Sequence, residues 1–132
     1  MKTFIKQLLR EEIETMPKKA IVQKFMEFVI DNLGIYGTVK LKLTNNRDGI
    51  TTTAYYNPGT GLICVYIKNR AIVDILRSIA HEMVHHKQNQ RGDLTGDASE
   101  GADGSQFENE ANSKAGELIR IFGRQNPEIY ES

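Results

Sequence analysis

The sequence has almost no cysteine, no surplus of either charge, no long apolar run and no low-complexity tract, and each absence closes off a class of protein. With Cys64 alone, no intramolecular disulfide can form, so nothing argues for an oxidising compartment, and a cysteine-based zinc site is excluded. Lys plus Arg number 17 and Asp plus Glu number 17. That balance gives no basic surface to draw nucleic acid or an anionic membrane as a main partner. Apolar stretches are broken by Lys, Asp or Arg every few residues, well short of the roughly 18 apolar residues of a membrane span. What remains is a chain of 132 residues, 39% hydrophobic and 26% charged, the composition of a globular protein able to bury one core. The expectation is a single domain over residues 1–132, cytoplasmic and monomeric.

The opening MKTFIKQLLREEIE sets Phe4, Ile5, Leu8, Leu9 and Ile13 at helical spacing among charged residues, which predicts an amphipathic helix over residues 1–15 rather than a signal peptide. A second helix is predicted from Pro17 to Leu33, with Gly34 as its stop. From Gly37 the period becomes two, with Val39, Leu41 and Leu43 alternating with Lys40, Lys42 and Thr44, and two more strand-like runs follow, Ile50 to Tyr56 and Leu62 to Ile67. Turn-rich Asn45-Asn46-Arg47-Asp48-Gly49 and Asn57-Pro58-Gly59-Thr60-Gly61 separate them, and short connections predict an antiparallel meander. Asn69 can cap a third helix from about Arg70 to Gln90, and a fourth is expected from Gln106 to Phe122. Between these two helices, residues 92–105 hold four glycines with Asp93, Asp97, Glu100 and Asp103 and read as a flexible acidic loop. The predicted class is α+β, in the order α-α-β-β-β-α-α with a small antiparallel sheet.

All three histidines lie in His81-Glu82-Met83-Val84-His85-His86, inside the third predicted helix, and the pattern is H-E-x-x-H. Helical residues four apart share a face, so His81 and His85 can offer two imidazole nitrogens to one metal ion at about 2 Å from each. Glu82, turned about 100° from His81, can reach a water beside that metal and serve as general base without binding the ion. Catalytic zinc usually keeps three protein ligands and leaves one position for water. With no further histidine and no usable cysteine, the third ligand should be a carboxylate, most economically from the helix after the loop. There Glu108 and Asn112 are four apart, so Glu108 can take the metal while Asn112 hydrogen-bonds a ligand histidine. Glu110, about 200° further round, is the alternative if the helix docks in another rotation.

At these two segments the chain resembles the zincin metallopeptidases of the gluzincin branch, in which HExxH on one helix is completed by a Glu on a later one. Glu108-Asn109-Glu110-Ala111-Asn112 has the E-x-x-A-[ND] form seen in several such families, which favours Glu108 by a second route. The wording is similar to small ImmA/IrrE-type peptidases and compact phage-encoded relatives, and the opening MKTFIKQLLREE resembles small phage-encoded proteins too. The resemblance implies a minimal zincin domain binding Zn²⁺, a peptide or protein substrate, and a sheet whose edge strand holds that substrate beside the active-site helix. Leu62 to Ile67 is the candidate strand.

The reaction expected is peptide-bond hydrolysis with Glu82 as general base and His81, His85 and Glu108 as ligands. The alternative is a zinc-binding regulatory or interaction module on the same scaffold without proteolytic activity, and the general base at position 82 weighs against it. A nucleic-acid-binding protein on a SprT-like scaffold is disfavoured by the zero net charge and the acidic loop. His86, one step past His85, is read as solvent-exposed or paired with Glu82, and Cys64 as a small buried hydrophobe. The acidic loop fails the spacing of an EF-hand calcium site. It can act as a lid by its position. Tyr55, Tyr56, Tyr66 and Tyr130 are candidates to stabilise an oxyanion, and the sequence does not choose among them.

Overall fold

A computed structural model describes residues 5–8, 19–46, 53–94 and 104–131. Within the predicted N-terminal helix the described residues form a strand instead, β1 (Ile5–Leu8). It pairs in parallel with the next strand, Ile5 opposite Val39 and Leu8 opposite Leu41. A four-residue piece is too short for its apolar spacing to separate the two periods, and an open sheet edge supplies backbone partners that decide the matter.

Helix α1 (Lys19–Leu33) buries Val22, Phe25, Met26, Val29 and Ile30, the three-and-four spacing that puts one face against a core. Gly34 closes it at a left-handed φ of 68°, its amide donating to the Ile30 carbonyl at 2.9 Å. The predicted start at Pro17 lies outside the described residues. Strand β2 (Val39–Thr44) sends Val39, Leu41 and Leu43 into the core and leaves Lys40 and Lys42 partly exposed. β3 (Ala54–Asn57) and β4 (Leu62–Tyr66) form the expected antiparallel hairpin. Asn57 shapes its turn, with Oδ1 accepting from the Gly59 amide at 2.9 Å and the main-chain carbonyl accepting from Gly61 at 2.7 Å.

The meander is not what forms. β4 pairs with β2 in parallel, Leu41 opposite Ile63 and Leu43 opposite Val65, so the sheet is mixed and ordered β1-β2-β4-β3. Leu62 to Tyr66 is thus an interior strand and not the edge expected of Leu62 to Ile67; on that side of the sheet the edge is β3. Burial accounts for this. In β4, Ile63, Cys64 and Val65 are all buried without alternation, as an interior strand covered on both faces requires. β3 alternates partly buried with exposed residues, as suits an edge.

Helix α2 (Ile72–Gln90) starts two residues later than predicted, with Ala71 at its N-cap. Asn69 does not cap it; at φ 59° it makes the left-handed turn that leads in from β4. Helix α3 (Gln106–Gln125) is capped by Ser105, whose Oγ accepts from the Glu108 amide at 3.1 Å. It passes through Gly123, the expected stop, and ends before a 3-10 turn at Pro127–Tyr130. The Tyr130 ring lies over Gly123, so close that a Cβ there would meet it well inside van der Waals contact. The core joins α1, the sheet, α2 and α3, with Phe25 and Phe122 edge-to-face at 4.9 Å between ring centres. No helix among the described residues is long and apolar enough to cross a membrane.

Candidate metal centre

Two helices build the site. α2 presents His81 and His85 one turn apart, their rings 4.8 Å apart and nearly perpendicular, so both Nε2 atoms point to one spot. They approach each other to 3.2 Å. α3 packs along α2 and buries Ala111 and Ala115, and its first turn lies close to the two histidines. Glu108 sits there, Oε1 2.8 Å from His81 Nε2 and Oε2 2.9 Å from His85 Nε2.

Three donors converging at 2.8–3.2 Å is the arrangement a small cation requires. Bonds of about 2.0–2.1 Å at tetrahedral angles set neighbouring ligand atoms about 3.3 Å apart. His81, His85 and Glu108 are the group among the described residues able to hold a metal ion. Two nitrogens and one carboxylate oxygen suit zinc or another first-row divalent metal better than calcium or magnesium, which favour all-oxygen shells.

The alternative ligand, Glu110, is committed elsewhere. Its Oε1 accepts from Gln88 Nε2 at 2.8 Å and from Arg91 Nη2 at 2.8 Å, and these partners hold its carboxyl below the usual range. Asn112 lies one turn beyond Glu108, close enough to His81 to bear on its proton affinity. Burial lowers the His81 pKa, while Glu108 and Asn112 pull it up.

Glu82 is only 6% exposed, between the ligand face and the core. Burial first, and the neighbouring Glu108 carboxylate second, push its carboxyl pKa up to about 8. A carboxyl in that range can take and return a proton near neutral pH. A cation held by Glu108 and the histidines would oppose this shift by favouring the ionised form.

His86 is buried, contrary to the solvated or Glu82-paired reading. Its Nδ1 is 2.8 Å from the Tyr56 hydroxyl on β3, and Tyr56 also accepts from Asn89 Nδ2 at 3.0 Å. Asn89 donates in addition to the Pro58 carbonyl at 3.0 Å. This cluster fastens the edge strand to α2. Of the tyrosine candidates, Tyr56 is therefore spent on that bond, and Tyr130 lies by Gly123, about 22 Å along α3 from Glu108. Tyr55 stands opposite Cys64 across the hairpin, and the Cys64 thiol is buried as expected. In the acidic segment Asp93 pairs with Arg91 at 2.8 Å, while Asp97, Glu100 and Asp103, and with them the lid, lie outside the described residues.

Gln88 is the site residue that sequence reasoning missed. It is completely buried, three residues after His85 on the same helical face, with Oε1 2.8 Å from His85 Nδ1. Its signal was that spacing, since a polar amide among Val84, Met83 and the helix interface needs partners to be buried at all.

No protein-family model, no curated protein and no solved structure matches the chain.

Proposed function

We propose that the protein is a zinc-dependent metallopeptidase whose metal is held by His81, His85 and Glu108. The observation that carries this reading is the meeting of those three side chains beside the buried carboxyl of Glu82. A purely structural site has no use for an additional buried carboxyl beside its ligands, whereas hydrolysis needs a group there that takes and returns a proton. When bound, the metal supplies Lewis acidity for a scissile carbonyl and makes water more acidic.

The remaining work falls to the chain. Asn112, beside His81, helps to orient that ring. Glu82 accepts a proton from the attacking water at its carboxylate and delivers it to the departing amine, so the same oxygen serves as base and then as acid. The substrate segment, in extended form, adds to the sheet along β3, the edge strand fastened to α2 by Tyr56 and His86.

Glu82→Gln tests the reading. The amide keeps the volume and removes the proton carrier, so zinc content should stay at the wild-type value while cleavage of a denatured-protein mixture, followed by mass spectrometry, falls about 10²–10⁴-fold. Undiminished cleavage by the variant would remove Glu82 from the mechanism. Zinc bound at one equivalent with no cleavage by the wild type would favour a zinc-binding regulatory module instead.

A further inference from the structure

Beyond the ligands, a second layer of this site is written in the side chains of α2 and α3. The Gln88 amide has one acceptor and two donors, and all three are used. Its Nε2 donates to the Phe107 carbonyl at 3.0 Å and to Glu110 Oε1 at 2.8 Å, both on or beside the first turn of α3. With the amide nitrogen facing two acceptors, Oε1 must face His85, and an oxygen there can only accept. His85 Nδ1 therefore carries the hydrogen, and the Nε2 lone pair is left pointing at His81 and Glu108.

We propose that Gln88 is a positioning residue for the metal centre: it fixes the ring and tautomer of His85 and ties the start of α3, with Glu108, to α2. The proposal rests on the reading that His81, His85 and Glu108 hold a metal. Asn112 serves His81 from α3, and Gln88 serves His85 from α2, so each ligand imidazole has its own side-chain partner. The tie runs on through Glu110 to Arg91, whose Nη2 bonds the same Oε1, and from Arg91 Nε to Asp93 Oδ2 at 2.9 Å. Glu110 thus acts from the outer face of α3, one residue pair away from Glu108, as an anchor for Gln88 rather than as a ligand.

The test measures zinc affinity by competition with a chromogenic chelator, in wild type and in Gln88→Met. Methionine fills a similar volume but offers His85 no acceptor of useful strength, and the expected loss is about 10- to 100-fold in affinity. A role in folding alone would move the unfolding midpoint of the metal-free protein and leave the zinc affinity of the folded protein unchanged. A mutation-free measurement stands beside it: long-range proton–nitrogen correlation of the zinc-loaded wild type should show His85 with its proton on Nδ1 and the metal on Nε2. Wild-type affinity in folded Gln88→Met, or metal on His85 Nδ1, would each overturn the role of Gln88 while leaving the metal site standing. A wild-type protein that takes up no zinc would overturn both.

Discussion

In the proposed mechanism Glu82 carries the proton, and its burial bears on stability as well. In the unfolded chain it ionises near its ordinary value of 4.5, and in the folded, metal-free protein near 8. Between those values the folded state holds more protons than the unfolded one, so stability falls as pH rises, from its full value below about 4.5 to a plateau above about 8. His81 and His86 have lowered pKa values and work in the opposite direction, but below their ordinary 6.5. Denaturant titrations of metal-stripped protein between about pH 7 and 8.5 should therefore show stability declining, by up to a few kcal/mol over the whole range of the shift, and Glu82→Gln should flatten that slope. An equal slope in the variant would mean that Glu82 is not the titrating group. At this scale the sequence was informative where one helix carried the pattern: His81, Glu82 and His85 followed from a spacing. Glu108 needed the rotation of a second helix, which Asn112 hinted at and which the approach of Glu108 to both histidines shows. Gln88 and His86 were opaque because a buried polar residue declares its partners only in three dimensions.

Helix α2 does two jobs on two faces. One face carries His81, His85 and Gln88 toward α3; the other carries His86 and Asn89 toward β3. The two faces should separate on mutation. Tyr56→Phe removes the hydroxyl that lies between His86 and Asn89, and the expected cost is about 1–2 kcal/mol in a urea unfolding experiment, with zinc affinity unchanged. A change in zinc affinity of the size expected for Gln88→Met would show that the two faces are coupled. The bounds of these elements were legible to within a few residues from periodicity and from Gly34 and the Asn57–Gly61 turn. The caps were not: Asn69 looks like a cap but takes the left-handed turn, and the true α3 cap, Ser105, closes what read as loop.

The whole molecule is an α+β unit in which a mixed sheet backs the core and two packed helices carry the site at its side. The number of central strands was readable from alternation in β2 and from strand-forming residues between turns in β3 and β4, but neither signal names a strand's neighbour. The order β1-β2-β4-β3 places the hairpin's second strand inside, and the hint was composition: Leu62 to Val65 is apolar throughout, while Ala54 to Asn57 mixes Tyr and Asn with alanine. β1 was invisible because its pairing partner, not its own period, makes it a strand. The central claim is that the fold exists to bring Glu108 onto the two histidines. Elemental analysis of purified wild type beside His81→Ala and Glu108→Ala tests it most directly: one equivalent of zinc in the wild type and a clear loss in both variants is the predicted result. Zinc retained in full by Glu108→Ala, or absent from the wild type after loading, would contradict it.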